Sequence, residues 1–424
     1  MGPAFFFASS LHGRSRGFAL ACAFRIALSC NVTREYLARV LDRRSDSNST
    51  EWRVLLDCAN PNVTLLALHP EQTFSLDWPR LLALAADQGL LPLLSQKLAH
   101  SGAGVIPADT QQALKSFFRE QTIFDLRMLA ELYRILERFA AQGIAVMATK
   151  GPVLAHRCYG FSFARQYTDL DFVLGDADVL RATETLISLG YDAKVPPSAI
   201  RAGRPVGEYA FTQLATKLLV ELHTEKTFRY YPQPLSVEKI LRRKVAVRLG
   251  EQKVPALSIE DELLLISIHG AKHFWERLLW IADVAALITH NAIDWDNIAA
   301  IARAVDAQRM LHISLLLAKD VAGAALPAPI QIDAESDAGA VRMAQQIAAR
   351  LPNADSQPMS LFRRALFRIK MRGGGFPGLS YLLRLSLSPT EEDWLADSSG
   401  EKQGALSAIE RPFRLARKYG RSEK

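Results

Sequence analysis

The sequence predicts an α+β protein that is mostly helical and contains one small mixed β-sheet. Apolar residues recur at helical spacing in residues 75–142 and again in 259–350, whereas residues 144–250 contain short β-type runs separated by turns. The chain has 424 residues, of which 49% are hydrophobic and 22% are charged. This composition provides enough apolar surface for two or three folded domains and excludes a disordered protein.

The N-terminal part divides into an extension and a helical region. We expect residues 1–72 to form a poorly ordered extension, and residues 73–142 to form helices. The apolar segment from Phe18 to Cys30 is interrupted by Arg25 and is shorter than the roughly 20 residues that a membrane-spanning helix needs. The sequence therefore predicts no membrane span.

Residues 143–255 are predicted to form the core that contains the sheet. Gly143 stands where a helix commonly ends, and the residues from Ile144 to Ala148 form a short β-type run. Lys150-Gly151 then turns the chain, and Pro152 suits the first turn of a new helix. A strand followed by a glycine turn and a helix N-terminus presents backbone N–H groups to a phosphate.

Two carboxylates begin the next predicted strand. Residues i and i+2 of a strand point to the same face, so Asp169 and Asp171 project together. Their mutual repulsion is relieved by a divalent cation, for which carboxylate oxygens are preferred ligands. Such a pair is also common at solvated strand edges, so the interpretation depends on the upstream turn and on Glu221, a third acid on the polar face of a later strand.

A resemblance to a known family rests on Lys150-Gly151, Arg165, Asp169-Leu170-Asp171, Glu221-Leu222-His223, Ser258 and the run from His269 to Leu278 with Asp283. Together these motifs resemble the nucleotidyltransferases of DNA-polymerase-β-like fold, in the poorly characterised bacterial branch termed NTP transferase type 5. The resemblance covers roughly residues 75–320. It implies a small mixed sheet flanked by helical domains.

The resemblance also implies an activity and its site. The protein would transfer a nucleoside monophosphate from a nucleoside triphosphate such as ATP to a hydroxyl of a small-molecule, sugar or protein acceptor, and release pyrophosphate. Mg²⁺ or Mn²⁺ would be the cofactor. Asp169, Asp171 and Glu221 would hold the metal and act in catalysis, and the nucleotide would bind at Lys150, Gly151 and Arg165. Alternatively, Arg165 pairs with Asp169 in the absence of metal.

One departure from the family pattern supports an alternative function. Pro152 stands where the broader superfamily has Ser or a second Gly, and proline has no N–H to offer a phosphate. The alternative is a catalytically weak nucleotide-binding or regulatory protein that retains the fold.

Four further residues are candidates for the cleft: His223, His269, Lys272 and His273. His269 and His273 are four residues apart in an apolar helical region predicted from 259 to about 290, so they share a helix face. They would contact phosphate or base, or would bind zinc together with His223 or Asp283.

The remaining features give weaker indications. Residues 256–350 are predicted to form a helical domain, and residues 351–424 a helical and loop region with a basic tail. The formal charge of +7 alone makes no strong case for nucleic acid as a partner. Four scattered cysteines are typical of reduced thiols in a cytoplasmic protein. The expected partners are a nucleoside triphosphate and an unknown hydroxyl acceptor.

Overall fold

The fold is known from a computed structural model that describes residues 49–66, 75–99, 106–203, 209–225, 230–233, 235–353 and 359–387. It confirms the predicted α+β class and the mostly helical chain. Among the described residues, seven strands form one mixed sheet. The strands are β1 Val146–Thr149, β2 Asp169–Leu174, β3 Tyr191–Ala193, β4 Tyr209–Gln213, β5 Leu219–His223, β6 Val245–Leu249 and β7 Gln252–Ala256.

The α-helices of the described ranges precede, connect and follow these strands. Before the sheet lie α1 Thr50–Ala59, α2 Trp78–Asp87, α3 Leu91–Ala99 and α4 Ala108–Ala141. Between strands along the chain come α5 Gly151–Tyr159, α6 Val179–Ser188, α7 Pro197–Arg201 and α8 Val237–Arg242. After it come α9 Ile259–Lys272, α10 Leu278–His290, α11 Trp295–Ala304, α12 Gln308–Asp320, α13 Ala328–Ser336, α14 Ala338–Arg350, α15 Leu361–Met371 and α16 Gly375–Leu387. None of the helices in these ranges is long and apolar enough to cross a bilayer.

The sheet places β2 at its centre. The strand order is β3-β4-β5-β2-β1-β7-β6, with β2 antiparallel to β1 and parallel to β5. On one face, alternate residues of β2 and β5 pack with α4 and α6 in a cluster that we call the sheet core. Phe172 makes an edge-to-face contact with Phe139 of α4 there, with ring centroids 5.8 Å apart. The larger core is built mainly from the helices before and after the sheet.

One expectation from the sequence needs correction, and a second is made more specific. Residues 50–59 belong to the segment predicted as poorly ordered, but they form α1, whose Trp52, Leu55 and Cys58 are buried in the larger core. The helical region predicted over 259–290 is two helices, because Phe274 and Trp275 adopt left-handed backbone (φ 58° and 47°) and reverse the chain between α9 and α10. Residues 1–48 and the basic tail lie outside the described residues.

A buried carboxyl on α4 should make stability depend on pH. Asp125 is fully buried and accepts a hydrogen bond from Gln121 Nε2 at 2.9 Å. Burial raises the pKa of Asp125 to about 7. In the unfolded chain this pKa returns to about 4, so the folded state is stabilised at low pH and loses that stability as the pH rises towards the folded value.

Between pH 5 and pH 8, the wild type should therefore lose about 3 kcal/mol of unfolding free energy relative to Asp125→Asn. Urea unfolding at both pH values measures this difference. Asp192→Asn, an exposed substitution on β3, is the control. The same pH dependence for the wild type and Asp125→Asn would contradict the raised pKa.

Candidate active site

The two aspartates of β2 lie on the face of the sheet opposite the sheet core. Leu170 and Phe172 are buried in that core, so alternation along the strand directs Asp169 and Asp171 to the other face. Asp171 is only 3% exposed, and its Cα is registered with that of Glu221 on β5. The middle of the sheet therefore carries a buried carboxylate with a second acid beside it on the neighbouring strand.

Three side chains that can bind a metal meet at this point, and we call them the Asp171 cluster. His223 Nε2 lies 2.6 Å from Asp171 Oδ1 and 3.6 Å from Glu221 Oε2. One ligand atom from each of Asp171, Glu221 and His223 lies within 4.8 Å of the other two. Glu221 and His223 are two residues apart on β5 and therefore share a face. This spacing brings both to the same aspartate.

Lys150 supplies positive charge to the Asp171 cluster. It stands between β1 and α5 in left-handed backbone (φ 50°), which is uncommon for a residue with a Cβ. Its Nζ lies 3.0 Å from Asp171 Oδ1. Gly151 follows at φ 40°, and a Cβ at this position would lie 3.4 Å from the carbonyl oxygen of Asp169. The turn thus brings the ammonium to the carboxylate and the start of α5 to the start of β2.

The charges of these groups are strongly coupled. Burial disfavours ionised Asp171, but Lys150 and His223 outweigh burial and hold the pKa of that carboxyl well below its ordinary range. Burial and the negative charge of Asp171 raise the pKa of Asp169. Burial also opposes the charge of Lys150, yet the neighbouring carboxylates keep the pKa of this ammonium above its ordinary value. The site therefore contains an ionised Asp171 and a charged Lys150 at neutral pH.

The donor set of the Asp171 cluster fits a divalent cation. Carboxylate oxygens suit Mg²⁺ and Mn²⁺, and imidazole nitrogen is a common ligand of transition metals. The composition differs from the predicted set in one member, because His223 joins Asp171 and Glu221 within 4.8 Å while Asp169 is not part of that group. The reason is register: Asp169 is paired with Leu219, two residues before Glu221 on β5.

Arg165 is buried and pairs with an acid from α10. Its Nε lies 2.8 Å from Asp283 Oδ2, and the Tyr159 hydroxyl donates to Asp283 Oδ1 at 3.0 Å. Arg165 therefore forms its ion pair with Asp283, and not with Asp169 as the alternative from the sequence had it. Its charge still acts on Asp169, because it lowers the pKa of that carboxyl against the effect of burial.

Glu262, on the first turn of α9, is a buried residue that the sequence analysis missed. Its Oε1 accepts hydrogen bonds from Thr149 Oγ1 and from the Lys150 backbone N–H, both at 3.0 Å. Its Oε2 lies 3.7 Å from Arg157 Nη1. Glu262 thereby holds the left-handed turn that aims Lys150. A sequence signal was available, because Glu262 lies four residues after the Ser258 cap within an apolar helix. An acid in such a position is buried only if it has partners, so it indicates a structural or functional contact.

The predicted cleft residues divide between two places. His223 belongs to the Asp171 cluster, whereas His269, Lys272 and His273 lie at the end of α9. The rings of His269 and His273 are 4.7 Å apart, and both contact Trp280 on α10, at 5.5 Å and 5.0 Å between centroids. Lys272 Nζ lies 4.9 Å from the centroid of an aromatic ring. The group of possible metal ligands found among the described residues consists of Asp171, Glu221 and His223, and contains neither His269 nor His273.

Comparison with known proteins identifies a family for the part of the chain that contains the sheet and the Asp171 cluster. A family model described as an uncharacterised nucleotidyltransferase matches residues 75–323. The match extends from α2 to α12 and includes the whole sheet, the Lys150 turn and Asp283. A search of curated proteins found no match.

Removing the Glu262 carboxylate should weaken the fold at the Lys150 turn. Glu262→Ala leaves Thr149 Oγ1 and the Lys150 N–H without their buried acceptor, and it removes the carboxylate 3.7 Å from the Arg157 guanidinium. We expect a loss of about 3 kcal/mol in the free energy of unfolding, measured by urea denaturation. Glu238→Ala is the matched control, because Glu238 is 75% exposed in its ion pair and should cost less than about 1 kcal/mol. Equal losses of unfolding free energy for both variants would contradict the role of Glu262 in holding the Lys150 turn.

The Lys150 ammonium and a metal ion should compete for Asp171. In the absence of nucleotide, Lys150→Gln should bind Mn²⁺ about tenfold more tightly than the wild type, because it removes a positive charge 3.0 Å from a ligand oxygen. The electron paramagnetic resonance signal of free Mn²⁺ measures the affinity. Lys253→Gln, exposed on β7, is the control for a general loss of positive charge. Unchanged or weaker binding by Lys150→Gln would show that the metal does not occupy this position.

Proposed function

The chain belongs to the family of uncharacterised nucleotidyltransferases, and on this premise we propose that it transfers a nucleoside monophosphate from a nucleoside triphosphate to an acceptor hydroxyl. ATP is a suitable donor, and the acceptor is a small molecule, a sugar or a protein. The observation that carries the proposal is the Asp171 cluster with Lys150 at its edge. Nucleotidyl transfer needs a cation site next to a polyphosphate site, and the acids of the Asp171 cluster beside the Lys150 ammonium support the proposal that both lie here.

Asp171, Glu221 and His223 would hold the divalent cation, and Asp169 lies on the same face of β2. When bound, Mg²⁺ or Mn²⁺ supplies positive charge that offsets the negative charge of the polyphosphate and of the transferred group. The buried position of Asp171 strengthens this function, because electrostatic attraction is less screened where water is excluded.

Lys150, Gly151 and Arg165 would bind the phosphates. The Lys150 ammonium would exchange its contact with Asp171 for a phosphate oxygen. The Gly151 N–H lies at the start of α5, where a helix N-terminus favours an anion. Arg165 is oriented by Asp283, so its guanidinium is preorganised to offset charge that develops during transfer.

In the proposed reaction, the acceptor hydroxyl oxygen attacks the α-phosphorus in line. A new bond forms between that oxygen and phosphorus, the bond from phosphorus to the bridging oxygen breaks, and pyrophosphate leaves. Glu221 would accept the hydroxyl proton. Its side chain is 12% exposed against 2% for Asp171, so Glu221 is the acid of the cluster that an incoming acceptor reaches more easily.

The proposed activity is tested by following label from each α-labelled nucleoside triphosphate in cell lysate with Mg²⁺. The wild type should place label on an acceptor and release pyrophosphate. Asp171→Asn and the double variant Asp169→Asn/Asp171→Asn should reduce the rate at least about a hundredfold, because they remove several kcal/mol of charge stabilisation. Asp192→Asn, exposed on β3, should leave it unchanged. Full transfer by the double variant would refute the proposed site.

A nucleotide-binding protein without efficient turnover is the second candidate. Pro152 favours it, because this buried proline occupies the first turn of α5 and offers no N–H to a phosphate. Calorimetric titration with ATP, with and without Mg²⁺, separates the two functions when combined with the labelling experiment. Mg²⁺-dependent binding without label transfer to any acceptor would favour the second candidate.

A further inference from the structure

We propose that the rings of His269, His273 and Trp280 form the platform on which the nucleobase of the donor nucleotide stacks. This inference rests on the proposed function, because it assigns the base of the same nucleoside triphosphate whose phosphates would meet Lys150. Three independent features carry it: the packing of the rings, the helix faces on which they lie, and the charges that surround them. We call these three side chains the ring cluster.

The ring cluster is assembled by the chain reversal between α9 and α10. All three pairs of rings have centroids within 5.5 Å of each other, which is the range of favourable aromatic contacts. The reversal is fixed by Trp275, which is 1% exposed and packs so closely on Gly270 that a Cβ there would lie 2.4 Å from the indole nitrogen. The three rings are therefore brought together by a rigid turn.

His269 and His273 of the ring cluster share a face of α9 with Glu262, the residue that holds the Lys150 turn. Glu262, His269 and His273 are separated by seven and eleven residues, and at 3.6 residues per turn they lie on nearly one line along the helix. Glu262 binds the Lys150 N–H at 3.0 Å. His269 follows about 10 Å farther along the helix axis, at a rise of ~1.5 Å per residue. The ribose and α-phosphate of a nucleotide can bridge that separation.

On α10, a ring of the cluster likewise lies next to an acid that holds a cationic residue. Trp280 and Asp283 are three residues apart on α10 and therefore neighbours on its surface. Asp283 holds Arg165 through the 2.8 Å ion pair. The ring cluster thus lies on the same surfaces of α9 and α10 as the two acids that bind Lys150 and Arg165, the cationic residues of the proposed phosphate site.

The charges around the ring cluster suit a neutral aromatic ligand joined to an anionic group. Burial, followed by the charges of Lys150, His273, Lys272 and Arg165, lowers the pKa of His269 well below its ordinary value. At neutral pH this imidazole is an uncharged flat ring beside cations. His269, His273 and Trp280 are each half-buried residues, so none of them is fully removed from solvent. A nucleobase can stack on these rings while its phosphates reach the cations.

Stacking of this kind favours base size over base identity. Every base has a π-face, so stacking tolerates different bases, and a larger ring system covers more aromatic surface. The ring cluster therefore indicates a purine nucleoside triphosphate as the donor, with ATP and GTP bound similarly and CTP and UTP bound more weakly.

The test compares two probes by calorimetry in the presence of Mg²⁺: α,β-methylene-ATP, which carries a base, and inorganic tripolyphosphate, which does not. Trp280→Leu should weaken binding of the ATP analogue about tenfold and leave tripolyphosphate binding unchanged. Trp280→Phe keeps an aromatic ring and should retain affinity for the analogue within about threefold. Trp295→Leu makes the same substitution at a half-buried residue on α11 and should change neither affinity.

If Trp280→Leu weakens the binding of both probes equally, or of neither, the proposal that the base stacks on the ring cluster is refuted. His273→Leu repeats the comparison if Trp280→Leu does not fold. In the wild type, equal affinity for the analogue and tripolyphosphate would overturn the platform and leave the phosphate site intact. Binding of neither probe would instead overturn the proposed function itself.

Discussion

Asp171 is 3% exposed, and a carboxylate so far removed from water remains ionised only if other groups replace its hydration. Lys150 at 3.0 Å and His223 at 2.6 Å serve this purpose. Both positions follow from backbone constraints, one from a left-handed turn after β1 and the other from alternation on β5. The arrangement concentrates buried charge of both signs at one point of the sheet, and that concentration is what suits the site to a cation and a polyphosphate.

The helical part of the protein orients this point from two sides. Glu262 on α9 holds the backbone of the Lys150 turn, and Asp283 on α10 holds Arg165. Both helices belong to the larger hydrophobic core, so the rigidity of that core is transmitted to the charged groups. A sheet alone would leave the Lys150 turn without an acceptor for its N–H. This dependence gives a physical reason why the family match includes α9 and α10 together with the sheet.

The sequence predicts what local periodicity determines and misses what distant packing determines. Alternation on β2 and β5 is enough to place Asp169, Asp171 and Glu221 on one face. The partner of Arg165 lies 118 residues away, and no local pattern selects Asp283. The reversal at Trp275 was missed for the same reason: its sequence is compatible with a helix, but packing of the indole on Gly270 imposes a left-handed turn. The domain boundaries drawn from the sequence remain predictions.

The central claim is that the Asp171 cluster binds a cation next to the phosphates of a nucleotide. The most direct measurement is the anomalous difference density of a crystal grown with Mn²⁺ and α,β-methylene-ATP. We expect a manganese peak in contact with Asp171 and Glu221, and the Lys150 ammonium moved from Asp171 to a phosphate oxygen. A nucleotide bound elsewhere, or density that leaves Lys150 paired with Asp171 and no manganese beside it, would contradict the account.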